Sequence, residues 1–454
     1  MTRRERFALV AVVGLAAALR LFRADGELWF DEIVTVEQHV RRPVAEIVSR
    51  YEIANNHVMN SLLAHASVAV LGESPFAVRL PAIVFGIAAV PALYLTARQL
   101  WSVETALLTA ACLAASYPHV FYTQNARGYS AAVFFTLMAT AFLARLLRGE
   151  FGRDRLDGPA YALASGLGLY SLLLFAFVTV GHGVVLLAAR RWRVLGWLCA
   201  GAALAAALYA PMRSDLALYY TQRTTETGHP LFSTAFIEEI VPVALALAPI
   251  ALGAGLLFFR LGRREPLLAA LLAAPLVFNV LLPAAQFQGV HPRSFIYALP
   301  LAYLLLGEGI DWSLDRSRAL ALAFVAAVAG ASVVPLARYY RLPKQPFVEA
   351  LDYVAARRRP SEELLGVRLA GKAARFYDPS VQLVETAEEL RQHLDGRARA
   401  LWILLTFKRD LRRVDPEMHD WLLRATVPEA TFPAAIADGA VEVRRWVPPE
   451  RDQP

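Results

Sequence analysis

Two adjacent carboxylates, Asp31 and Glu32, follow a Trp-Phe pair directly after the first long apolar run of the chain. Other stretches between apolar runs also gather polar groups. NNHVMNSLLAHASVAVLG (55–72) carries Asn56 and His57, and YPHVFYTQNARGYS (117–130) carries Gln124, Asn125, Arg127 and Tyr129. MRSDLALYYTQRTTETGHPLF (212–232) is rich in tyrosine, and QFQGVHPRSFIYALP (286–300) holds His291 and Arg293. A carboxylate can take the proton of an attacking hydroxyl as the transition state forms. Arginine grips phosphate oxygens through paired hydrogen bonds. A phosphate leaving group departs as a stable anion, so it needs cationic stabilisation rather than a general acid. One base and one or two arginines thus suffice for glycosyl transfer from a polyprenyl phosphate. A single displacement would invert the anomeric carbon; a retaining scheme with a nucleophilic carboxylate stays open.

Elements must hold these residues, and composition says which. The chain is 57% hydrophobic and 19% charged, with mean hydropathy +0.42. Soluble domains carry roughly 45–50% apolar and about 25% charged residues, so a polytopic membrane protein is expected. The net charge of +7 does not point to nucleic acid, because the arginines cluster at the ends of apolar runs. Only Lys344, Lys372 and Lys408 among the 46 basic residues are lysine, a weak sign of a GC-rich bacterial genome. Cys112 and Cys199 both lie in apolar runs, which argues against a disulfide or a zinc site. The N-terminal run lacks a clear cleavage site and reads as an uncleaved first span.

About eleven spans are expected: 6–22, 77–97, 104–122, 129–147, 158–172, 173–190, 194–211, 236–259, 267–285, 294–310 and 318–337. Arg3, Arg4 and Arg6 precede the first. Arginines then follow every even-numbered one, at Arg98, Arg145, Arg190, Arg260 and Arg316 among others. The positive-inside rule therefore puts the N-terminus in the cytoplasm and the four polar loops outside. Residues 55–72 would invert this pattern if they crossed, so they are read as an interfacial or re-entrant helix. An odd number of spans sends the C-terminus outside. No internal repeat and no buried acid near mid-membrane is found, which disfavours a transporter. His182 is read as satisfied within the bundle, and the tyrosines near 219 as an aromatic belt.

Residues 1–340 form the membrane domain, with a first outer loop and juxtamembrane helices at 23–76. From 341 to 454 the pattern changes. KQPFVEALDYVAARRRPSEELLGVRLAGKAARFY reads as helix, strand, helix; ARALWILLTF is a buried strand, and AVEVRRW alternates like another. The fold class is thus mainly α, a transmembrane helix bundle with a small extracytoplasmic α/β domain. That domain lacks a Gly-rich phosphate loop and metal-ligand spacing, and reads as a lid or acceptor-docking module.

Four ordered pieces resemble the GT-C superfamily of membrane glycosyltransferases, in its family-39, protein-mannosyltransferase-like branch that includes bacterial Rgt-type transferases. They are LWFDEIVT, the long run from NNHVMNSLLAH to YLTARQL, FYTQNARGYS and HPRSFIYALPLAYLLL. The resemblance implies a lipid-linked sugar donor, an acidic residue of the first loop as base and an active site on the outer face. It places Asp31 at the catalytic position with Glu32 beside it, and Arg127 and Arg293 near the lipid phosphate. Glu32 would point elsewhere than Asp31 on a helix. Asn56, His57, Gln124, Asn125, Tyr129 and His291 are expected to bind substrate or shape its loops. Asn125 stands where many members carry an acid, and His57 where many carry a proline run, so a second carboxylate is not expected. No cofactor is expected, and a divalent metal is not excluded. The expected partners are a polyprenyl-phosphate sugar donor, an extracytoplasmic glycan, lipid or protein acceptor, and the bilayer of a bacterial inner membrane. A lipid-binding relative without catalysis, a transporter, and a ligase of another fold stand as alternatives.

Overall fold

The computed structural model describes residues 2–53, 55–148, 154–222, 255–285, 296–394, 399–436 and 438–448. The chain divides into two compact units, Met1–Ala24 with His39–Val333, and Asp25–Gln38 with Val334–Pro454. The segment Asp25–Gln38, which sequence pattern gives to the membrane domain, thus clusters with the C-terminal residues.

The first unit is helical. Its opening helix, Arg3–Leu21, starts at a capping box in which Thr2 and Glu5 satisfy each other's backbone N–H groups. Among the described residues four helices are long and apolar enough to cross a membrane: Pro75–Ala97, Tyr129–Arg148, Trp192–Thr221 and Arg318–Arg341. Shorter apolar helices are Val58–Leu71, Val103–Ala114, Leu173–Ala188 and Pro266–Asn279. These helices support a membrane protein, and among the described residues eleven full-length spans do not emerge. The span expected at 104–122 breaks into Val103–Ala114 and Tyr117–Thr123. The Ser116 hydroxyl caps the second piece by accepting from the His119 N–H, and Pro118 sits in its first turn. Most of the 236–259 span lies outside the described residues. The 14-residue helix Val58–Leu71 reaches about 21 Å, short of a hydrocarbon core of about 30 Å. The runs at 158–172 and 173–190 are separate helices, Asp154–Ser171 and Ala176–Ala188, joined through a tight turn at Leu173–Phe175.

Close packing in this unit depends on small residues. A Cβ on Gly201 would lie 2.5 Å from the Ala162 carbonyl, so only glycine lets helix Trp192–Tyr209 approach Asp154–Ser171 this closely. His182 is satisfied by the Tyr161 hydroxyl at 3.1 Å.

One expectation fails outright. Glu308, within the span expected at 294–310, is fully buried. Its carboxylate meets Arg260 Nε at 2.7 Å, Arg264 Nη1 at 3.4 Å and Trp101 Nε1 at 3.1 Å. Arg264 also reaches Asp311 at 3.1 Å. The acid can be buried because it is paired with cations near the ends of several helices.

The second unit carries a five-stranded sheet in the order β2-β1-β3-β5-β4. The strands are β1 (Glu363–Val367), β2 (Gln382–Val384), β3 (Leu401–Leu405), β4 (Val427–Phe432) and β5 (Val441–Trp446). β1 pairs in parallel with β2 and β3, whereas β5 runs antiparallel to β3 and β4. Past Glu363, β1 and β3 are apolar and buried, as strands covered on both faces must be. Helices Phe347–Ala355, Leu369–Tyr377, Ala387–Leu394, Lys408–Val414 and Pro416–Ala425 complete the unit. The helix, strand, helix reading from Phe347 to Tyr377 and the two later strands stand; β2 and β4 were not foreseen. The chain leaves β1 toward β2 and then crosses back to β3, so β1 and β3 flank a topological switch point.

Candidate active site

The acidic pair opens the short helix Phe30–Thr35 in the second unit. Both acids lie in its first turn, where partial positive charge on unpaired N–H groups favours them. Glu32 folds back toward the Trp29 N–H at 3.5 Å and is fully buried. Its Oε2 also meets Lys344 Nζ at 3.2 Å, and that lysine is itself only 6% exposed. Asp31 is half-buried, and its carbonyl accepts from Thr35 Oγ1 at 2.9 Å.

The residues around the pair are held on several sides within the same unit. The Phe30 N–H donates to Gln345 Oε1 at 2.8 Å. Gln345 Nε2 in turn donates to Thr406 Oγ1 at 3.3 Å. The Tyr377 hydroxyl donates to the Leu28 carbonyl at 2.8 Å, and the Val348 N–H to Glu27 Oε2 at 3.0 Å. The Phe30 ring meets Phe407 edge-on, with centroids 6.1 Å apart. Thr406 and Phe407 follow β3 directly, and Phe407 adopts a left-handed backbone with φ 50°. That conformation is strained for an aromatic residue and is retained where surroundings fix it.

The remaining candidates belong to the first unit. His57, Arg127 and Tyr129 are buried together. The His57 ring packs edge-on against Tyr129 at 5.3 Å, and the Arg127 guanidinium lies 5.4 Å from the same ring centroid. Gly128 makes this approach feasible: a Cβ there would stand 2.0 Å from the Ser171 carbonyl and 3.0 Å from His57 Nδ1. An arginine held over an aromatic face keeps its planar fork in one orientation, suited to phosphate oxygens.

The amide residues hold backbone. Asn56 donates to the carbonyls of Ile47 and Arg50 and accepts from Ser61 Oγ. Gln124 donates to the Arg20 and Phe22 carbonyls at 2.8 and 2.9 Å, tying the second polar loop to the end of the first helix. Asn125 donates to the Phe121 carbonyl at 2.8 Å. His291 and Arg293 lie outside the described residues. Two other acids of the first loop, Glu52 and Glu73, are paired with arginine. Hydrogen bonds from Arg42 and Arg41 hold the carboxyls of Glu52 and Glu73 below the usual glutamate value, although burial opposes the shift. Among the described residues no three His, Cys, Asp or Glu side chains gather as a metal site.

Three contributors escaped the sequence reading. Lys344 and Gln345 secure the acidic helix, and the only advance sign was one of three lysines in an arginine-rich chain. Arg20 is fully buried, donating to the Ala16, Ala114 and Leu113 carbonyls and to His119 Nδ1 at 2.6 Å. Its place inside the first apolar run gave no hint of these partners.

Residues 57–214 match the family model described as dolichyl-phosphate-mannose-protein mannosyltransferase. Over its whole length the chain is similar to solved structures. ArnT from Cupriavidus metallidurans in the apo state shares 14% identity at TM-score 0.57, covering 96% of this chain and 97% of that one. The same protein bound to undecaprenyl phosphate gives 13% identity and TM-score 0.53 over the same shares. Archaeal oligosaccharyltransferase AglB from Archaeoglobus fulgidus, in complex with an inhibitory peptide and a dolichol-phosphate, gives 11% identity and TM-score 0.53. That alignment covers 100% of this chain and 75% of AglB. No curated protein matches. The chain has the GT-C fold of these structures, and the family model covers two of the four motifs, the long run from His57 and FYTQNARGYS.

Proposed function

We propose that this GT-C chain is an integral membrane glycosyltransferase. It moves a hexose or pentose from a polyprenyl-phosphate donor to an extracytoplasmic acceptor. The observation that carries the reading is the acid of WFDE in the first turn of its own helix, in a chain aligned end to end with ArnT. ArnT is solved with undecaprenyl phosphate and AglB with a dolichol-phosphate, which supports a lipid-linked donor here.

In this mechanism the Asp31 carboxylate takes the proton from the acceptor nucleophile. The nucleophile bonds to the anomeric carbon as the bond from that carbon to the phosphate oxygen breaks. The electron pair leaves with the phosphate, giving polyprenyl phosphate and an inverted product. Arg127 meets the growing phosphate charge, and Arg293 is assigned to the same task. Glu32 is assigned to holding the helix rather than to the base, because its carboxylate is buried against Lys344. His57 and Tyr129 set the orientation of Arg127. The N-terminus is cytoplasmic and the C-terminal unit extracytoplasmic, in keeping with the arginines that follow alternate apolar runs.

The test uses purified full-length protein in nanodiscs, offered polyprenyl-phosphate-linked hexoses and pentoses with mixed acceptors from the source envelope. Mass spectrometry follows free polyprenyl phosphate for wild type and Asp31→Asn. Release by wild type alone supports the reading. Release by both removes Asp31 from the mechanism, and lipid bound without release by either indicates a binding relative.

A further inference from the structure

Open α/β sheets take their ligands in the crevice at the carboxyl ends of the parallel strands, where the chain switches direction across the sheet. In the second unit that crevice lies beyond β1 and β3, at Arg368, Thr406 and Phe407. What lies against Thr406 and Phe407 is the chain's own acidic segment. Phe30 packs on Phe407, and Gln345 bridges Thr406 to the Phe30 N–H. The residue on the other side of Asp31, Glu32, is tied to Lys344. Asp31 is therefore flanked on both sides by residues anchored to consecutive positions, 344 and 345.

A buried ion pair is a poor choice for stability alone. Desolvation of both charges cancels much of their attraction, and an apolar pair of similar volume often does as well. What such a pair does supply is a single geometry, since a buried carboxylate without its cation is strongly disfavoured. The Phe30 N–H also needs an acceptor at the helix N-terminus, and Gln345 provides one from a fixed place.

We infer that Lys344 and Gln345 are positioning residues that set the Asp31 carboxylate for proton transfer, with the C-terminal unit serving as its seat. The inference rests on the glycosyltransferase reading above. It differs from a lid or acceptor-docking module, because it assigns the unit a role before any acceptor arrives. Displacement of a reacting group by about 1 Å can cost on the order of a hundredfold in rate while leaving substrate binding intact.

The test compares wild type, Lys344→Met, Lys344→Arg, Gln345→Met and Gln345→Glu, all full length in nanodiscs. Two quantities are read: hydrogen exchange of backbone amides 28–36, and kcat and KM for a polyprenyl-phosphate-linked sugar that wild type turns over. The methionine variants should lose protection across 28–36 and fall roughly tenfold to a hundredfold in kcat, with KM for the donor nearly unchanged. Lys344→Arg and Gln345→Glu keep the cation and the acceptor, and should recover most of the rate. Unchanged exchange in both methionine variants overturns the inference, and so does lost protection with an unchanged kcat. Failure of wild type to release polyprenyl phosphate from any donor sinks the glycosyltransferase reading instead. The exchange data then still decide whether these two residues hold the segment.

Discussion

Lys344 Nζ lies 3.2 Å from Glu32 Oε2, joining residues 312 positions apart in sequence. Neither side chain is open to water, at 6% and 0% exposed. The acid next to the candidate base is thus committed to structure, while Asp31 is left half-buried at the start of the same helix.

Removing one member of this pair should destabilise more than removing both. Lys344→Met or Glu32→Met leaves one buried charge and should lower stability by about 3–5 kcal/mol. The double variant to Met should lie much closer to wild type, by the same logic. Thermal unfolding of the three proteins in one detergent checks the order; equal losses in all three would show that the pair is not coupled.

Asp31→Asn should retain polyprenyl phosphate and lose turnover by about 10²–10⁴-fold, the usual contribution of a positioned base. Binding is read by native mass spectrometry and turnover by lipid release. A rate within threefold of wild type, on the order of 0.6 kcal/mol, would place the base elsewhere.

Gly128→Ala should disrupt the second polar loop, because the added Cβ would meet the Ser171 carbonyl at 2.0 Å with backbone on both sides. The expected loss exceeds the usual 1–3 kcal/mol of overpacking, since no flexible side chain can give way. Tyr129→Phe keeps the aromatic face beneath Arg127 and should be mild; Tyr129→Leu should weaken donor binding by about 0.5–2 kcal/mol. Donor titrations on folded protein distinguish the two.

The second unit should weaken in acid through two glutamates. Burial tends to raise the Glu442 carboxyl, but Lys408 and Arg444 outweigh it and hold it below the ordinary 4.5. Burial likewise opposes hydrogen bonds to Glu362 from Trp402, the Arg359 backbone and Arg445, and the net shift is again downward. A carboxyl lowered on folding contributes stability that is complete above its unfolded value and disappears as pH falls through the folded value. Unfolding temperature of this unit should therefore hold at neutral pH and fall below about 4.5. Glu442→Gln with Glu362→Gln should flatten that fall; an unaltered slope would assign it to other groups.

The bundle was legible in sequence wherever apolar runs were long and bounded by arginine. It was less so at residue 116, where an alanine-rich run masks a break that Ser116 and Pro118 in fact signal. Glu308 escaped because hydropathy averages a single acid into its neighbours, and its cations lie more than forty positions away. β2 is three residues long, and β4 holds a proline and an irregular register, so neither carries a strong alternating pattern. Asp31 was singled out as a candidate through a local motif. Lys344 and Gln345 were not, because their meaning comes from tertiary partners that no local pattern records.

The distance in sequence between Glu32 and Lys344 also sets a timetable. At about 5–20 residues per second, the ribosome needs on the order of 15–60 seconds to travel from one to the other. Through that interval the acidic segment has been made and its cation has not. Thr406 and Phe407 arrive later still. A nascent chain that already holds the apolar helices therefore still lacks the partners of its own acidic segment until residue 407 has been made.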